Sequence, residues 1–98
     1  MERKTKKMAE TELEISLAMK TLDALSTRRQ ELEEFKPASA EGKQAKDEAI
    51  NQFGNEMSET RVKLGQLRNR LEVETVEMLA GKDTEFAEPT PADALRSA

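Results

Sequence analysis

The strongest constraint in this chain is a pair of apolar repeats, spaced every three and four residues, on either side of a proline-marked break. With heptad position a at Met8, Ile15, Leu22 and Arg29, position d falls on Thr11, Ala18, Leu25 and Leu32. Beyond the break, a falls on Ile50, Met57, Leu64, Leu71 and Met78, and d on Phe53, Thr60, Leu67 and Glu74. That spacing gives each of two helices one narrow apolar stripe, the seam of a coiled coil rather than the broad face of a globular helix. Stripes of this kind have to be hidden, against each other or against another molecule.

The punctuation between the repeats favours hiding them within the chain. Residues 5–35 contain neither Gly nor Pro, Pro37 disfavours helical geometry at Lys36, and the run Pro-Ala-Ser-Ala-Glu-Gly supplies a turn with Ser39 as the next N-cap. A connection this short joins antiparallel neighbours. The reading is an all-α fold, an antiparallel two-helix hairpin over residues 1–81, with a helix at about 5–35, a turn at about 36–40 and a helix at about 40–80 ended by Gly81. Gly54 is the weak point of the second helix, where a kink or break is admitted, because glycine costs about 1 kcal/mol relative to alanine there. Residues 82–98 are polar and contain Pro89 and Pro91, and they read as a flexible acidic tail. Within that tail Thr90-Pro91-Ala92-Asp93 carries the start signals of a short terminal helix.

Antiparallel seams place a of one helix beside d of the other, and one register aligns the apolar layers. It sets Ile15 opposite Leu67, Ala18 opposite Leu64, Leu22 opposite Thr60, Leu25 opposite Met57 and Leu32 opposite Ile50. The flanking positions, which the apolar pattern did not select, then bring opposite charges together at Lys7 with Glu77, Glu14 with Arg70, Arg28 with Glu56 and Glu12 with Arg68, while Glu33 faces Asp47, a like pair near the turn. Exposed pairs are worth only about 0.2–1 kcal/mol each, so they choose register and direction while the seam supplies most of the stability.

Side-chain chemistry narrows the function. The chain has no Cys, His, Trp or Tyr. Nucleophilic serine chemistry lacks its usual base, thiolate and imidazole metal ligands are missing, and neither a Gly-rich phosphate loop nor a calcium loop is present by spacing. A thin hairpin also offers little room for a carboxylate pair in a pocket. The expectation is a protein that is not an enzyme, with no cofactor, no metal and no small-molecule substrate. The formal charge of -4, from 16 cations and 20 anions, is spread along the chain and does not mark either half as a nucleic-acid magnet. No apolar run suits a membrane span or a signal peptide, so no membrane partner is expected and the location is read as cytoplasmic, or within a virion if the chain comes from a phage.

What remains is surface. Leu13, Leu17, Val62, Val73, Val76 and Leu79 lie outside the seam, mostly toward the open end of the hairpin, and Phe86 and Leu95 punctuate the tail. They are the candidates for a protein interface, since isolated hairpins of this size are marginal alone. Arg3, Lys4, Lys6 and Lys7 form a dense cationic cluster, and Arg61 and Lys63 lack carboxylates in the chosen register; these are the charged-contact candidates. The leading expectation is a protein–protein interaction module, structural, adaptor or assembly-related, that forms a homo-oligomer or docks on a larger protein. The alternative is a small inhibitor, for example of a phage type, that blocks a larger enzyme or nucleoprotein complex; the third is a nucleic-acid accessory protein using its basic N-terminus.

Overall fold

The computed structural model describes residues 4–87 and consists of two helices, α1 (Lys6–Glu34) and α2 (Ala40–Leu79). They run antiparallel: Thr11 meets Glu74 at the open end and Lys46 meets Glu33 at the turn. A helix of 40 residues is about 60 Å long, and the molecule measures 62 × 28 × 13 Å, two helices wide and one helix deep.

Local chemistry sets the helix ends. Thr5 caps α1 by accepting the Met8 N–H at 3.1 Å, and Ser39 caps α2 by accepting the Gly42 N–H at 3.0 Å. The end of α1 needs help from elsewhere. Its Glu33 carbonyl would normally accept from the residue four positions on, but that residue is Pro37, which has no N–H. Lys46 of α2 fills the gap, donating from Nζ to the Glu33 carbonyl at 2.9 Å and to the Phe35 carbonyl at 2.6 Å. At the far end of α2, Gly81 turns into the left-handed region at φ 74°. Gly81 N–H then donates to the Met78 carbonyl at 3.0 Å and Lys82 N–H to the Glu77 carbonyl at 2.9 Å, the paired bonds of a Schellman cap.

The seam is the one the heptads outline. Every a and d position assigned from the sequence in α1 and α2 is buried or half-buried. Ala18, Leu64 and Leu67 form the buried cluster, with Ile15 and Leu22 packed against it, and Met8 and Met57 are buried beyond it along the seam. Truncating a buried leucine costs about 2–5 kcal/mol, several times an exposed ion pair, so this cluster and not the flanking charge holds the helices together. α2 continues unbroken through Gly54. The break admitted there does not occur, because burial along the seam outweighs a penalty of about 1 kcal/mol.

The segment after Gly81 departs from the expectation of a free tail. Gly81 reverses the chain, Asp83 Oδ1 accepts the Glu85 N–H at 3.2 Å in an Asx turn, and residues 85–87 run back along the N-terminus. Lys6 N–H donates to the Glu85 carbonyl and Ala87 N–H to the Lys4 carbonyl, both at 2.8 Å, making an antiparallel bridge between Thr5 and Phe86. This strap leaves Thr5 with no exposed surface. The sequence reading missed it because a single bridge has no periodicity. The short helix expected over 91–97 lies outside the described residues.

The two glycine environments predict opposite mutational effects. A Cβ on Gly54 meets nothing within 4 Å, so Gly54→Ala should raise stability by about 0.5–1 kcal/mol. Gly81→Ala should lower it by about 1 kcal/mol, since the left-handed conformation penalises any side chain. Urea melts followed by circular dichroism measure both.

Candidate protein-interaction surface

The open end of the hairpin is built around a polar layer rather than an apolar one. Thr11 and Glu74 occupy d positions, and both are buried, Thr11 at 1% exposure and Glu74 at 8%. The Thr11 hydroxyl donates to Glu74 Oε1 and accepts from Arg70 Nε at 3.1 Å, while Arg70 Nη2 pairs with Glu14 Oε2. One hydroxyl thus uses its donor and an acceptor lone pair to link both helices. A polar layer in an otherwise apolar seam penalises any slip, because slipping would bury these groups without partners.

Of the charge pairs expected from the register, Glu14 with Arg70 forms. Those of Lys7 with Glu77, Arg28 with Glu56 and Glu12 with Arg68 do not. Glu12 instead faces Lys4, at 2.7 Å. Arg29 reaches Glu33 within α1 at 3.4 Å. Exposed pairs of long side chains are too weak to hold a geometry that a nearer partner can displace. As a result Arg68 joins Arg61 and Lys63 as cations with no carboxylate within ion-pair distance among the described residues.

The N-terminal cluster is partly occupied. Lys4 faces Glu12, and Lys6 reaches Glu85 at 3.4 Å across the strap. Lys7 lines a shallow groove with Glu10, Leu13, Glu14 and Arg70. Arg3 lies outside the described residues, as does Leu95. Phe86 is half-buried in the strap bridged to Thr5, so it is not the free docking side chain expected of a loose tail.

All six helical interface candidates are exposed: Leu13 at 62%, Leu17 at 54%, Val62 at 62%, Val73 at 57%, Val76 at 64% and Leu79 at 77%. The fold does not gather them into one patch. Leu13 and Leu17 occupy adjacent turns on the outer side of α1, whereas Val62, Val73 and Val76 share the outer side of α2, away from the seam. The sequence reading passed over Met19 and Phe35, exposed at 51% and 59%. Met19 stands beside the seam, in a groove of about 540 Å³ with Leu22, Met57 and Leu64 on its floor and Lys20, Asp23, Arg61 and Arg68 around it.

Comparison with protein-family models, with curated proteins and with solved structures finds no match. The chemistry of the surface therefore carries the functional argument. Total accessible area is 7715 Å². A body two helices wide and one deep exposes more surface for its mass than a compact chain does. No helix among the described residues is long and apolar enough to cross a membrane.

The polar layer makes a double-mutant prediction. Thr11→Val leaves the buried Glu74 carboxyl and Arg70 short of a partner and should cost about 1–3 kcal/mol. Combining it with Glu74→Leu should recover most of that loss, since an apolar layer needs no hydrogen bonds. Equal, additive losses in a urea-melt cycle would show that the hydroxyl and the carboxyl act independently.

Proposed function

We propose that this chain is a non-enzymatic protein–protein interaction module, structural or adaptor in character, that self-associates or docks on a larger protein through the outer faces of its hairpin. The observation that carries the reading is the exposure of Val62, Val73, Val76 and Leu79 on α2 and of Leu13 and Leu17 on α1. Val62, Val73 and Val76 share one side of α2, and apolar side chains grouped on one face mark a site of association. The hairpin already satisfies its own seam, so these residues contribute nothing to folding that a polar residue would not.

A second reading rests on the groove beside Met19. Its apolar floor and its unpaired Arg61 and Arg68 suit an acidic, amphipathic segment of a larger protein, as a blocking inhibitor would require. The nucleic-acid reading has the least support, since Lys4 and Lys6 of the basic cluster already face carboxylates and no aromatic platform accompanies them.

The test compares wild type with a Leu13→Glu, Leu17→Glu, Val73→Glu, Val76→Glu variant, immobilised and challenged with lysate of the native host. Helicity should be unchanged. Partners, a second copy included, should be retained by wild type at about 0.5 M salt, where charge-led binding is screened, and lost by the variant. Equal retention by both proteins, or retention only at low salt, would overturn the apolar reading.

A further inference from the structure

The outer face of α2 carries a second seam. Val62, Gln66, Asn69, Val73, Val76 and Ala80 follow one another at alternating intervals of four and three, all exposed, on the side of the helix turned away from α1. None is charged, although 37% of the chain is Asp, Glu, Lys or Arg. The corresponding face of α1 is different: its exposed leucines, Leu13 and Leu17, are bracketed by Glu10 and Lys20. A helix that needed only solvent on this side would carry charge there, as α1 does.

We propose that this face binds a second copy of the chain, α2 against α2 and antiparallel about a two-fold axis near Leu71. The proposal rests on the interaction-module reading above and names its partner. Antiparallel seams set a beside d, which places Val62 opposite Ala80 of the second copy, Gln66 opposite Val76 and Asn69 opposite Val73. The flanks supply a check that the apolar pattern did not choose. Lys63 and Glu77 each directly follow a seam valine, and such positions face each other across an antiparallel seam. Lys63 and the Glu77 side chain have no ion-pair partner within the hairpin among the described residues. The two-fold brings them together twice.

The other flank explains a further exposed residue. Leu79, the most exposed large apolar side chain among the described residues, falls over Gly65 of the second copy, where the absence of a side chain and of any neighbour within 4 Å leaves room for it. Nearest the axis, Arg70 faces its own copy but is already paired with Glu14. Glu72 faces its own copy without a partner, and this is the unfavourable contact of the arrangement.

Sedimentation equilibrium of the purified full chain tests the proposal. Wild type should be a dimer at about 100 μM, above the micromolar dissociation constant of a modest interface. Val76→Asp should weaken dimerisation by at least about tenfold, because it places a charge inside the seam with only the neutral Gln66 opposite it, while circular dichroism shows the helices intact. Lys63→Glu and Glu77→Lys should each weaken the dimer, and the two together should restore it. Glu72→Gln should tighten it, and Ala24→Glu, at an exposed position of α1, should leave it unchanged. A monomeric wild type at that concentration, or an oligomer indifferent to Val76→Asp or to the charge swap, overturns the inference. A pure monomer that still retains a lysate partner through these valines would refute the second copy and leave the interaction-module reading standing.

Discussion

The burial of one stripe per helix, Ala18 and Ile15 of α1 against Leu64 and Leu67 of α2, is what the rest of this molecule depends on. Two helices packed on a single seam can bury no more than that, and a body 13 Å deep has no second layer. Seam burial carries α2 through Gly54 without a break. The same geometry leaves the far side of each helix facing solvent, whatever residues lie there. Exposure of Val62, Val73 and Val76 is thus a consequence of the architecture; their spacing, and the lack of charge among them, is a property of the sequence that the architecture does not require.

An apolar seam alone is permissive about register, since leucines and methionines can exchange partners at modest cost. Directional groups at the two ends remove that freedom. At the turn, Lys46 takes the Glu33 carbonyl that Pro37 leaves without a donor and the Phe35 carbonyl beside it; at the open end, Arg70, Thr11 and Glu74 share one hydroxyl. Both devices join α1 to α2 through hydrogen bonds whose loss would leave polar groups short of partners. The strap adds a closure of a different kind, backbone to backbone, in which Lys4 and Lys6 pair with Glu85 and Ala87. It also draws Lys6 toward the Glu85 carboxylate, which changes what the basic N-terminus can offer to anything else.

The hairpin, its turn and its caps were legible because each follows from short-range rules: apolar spacing for the seam, Pro37 and Ser39 for the turn, Gly81 for the stop. The exposed candidates on both helices were legible for the same reason, as residues outside a known stripe. The ion pairs were mostly not. Glu12 could reach Lys4 as readily as Arg68, and sequence register does not say which way a long side chain leans. Lys46 had a signal that went unread, since a proline four residues after Glu33 leaves a carbonyl in need of a donor. The strap had none, because two backbone hydrogen bonds between residues far apart in the chain leave no pattern in either segment.

By itself, the sequence determined two helices, their antiparallel sense, the seam register and the residues left outside it, because helix periodicity and turn chemistry act over a few neighbouring positions. Tertiary structure alone decided which charges found partners and which did not. It also decided that Thr11 would serve two residues of the facing helix, and that residues 85–87 would close over the N-terminus. Those outcomes turn on distances between groups far apart in the chain, and a difference of a few ångströms there decides between a hydrogen bond and solvent.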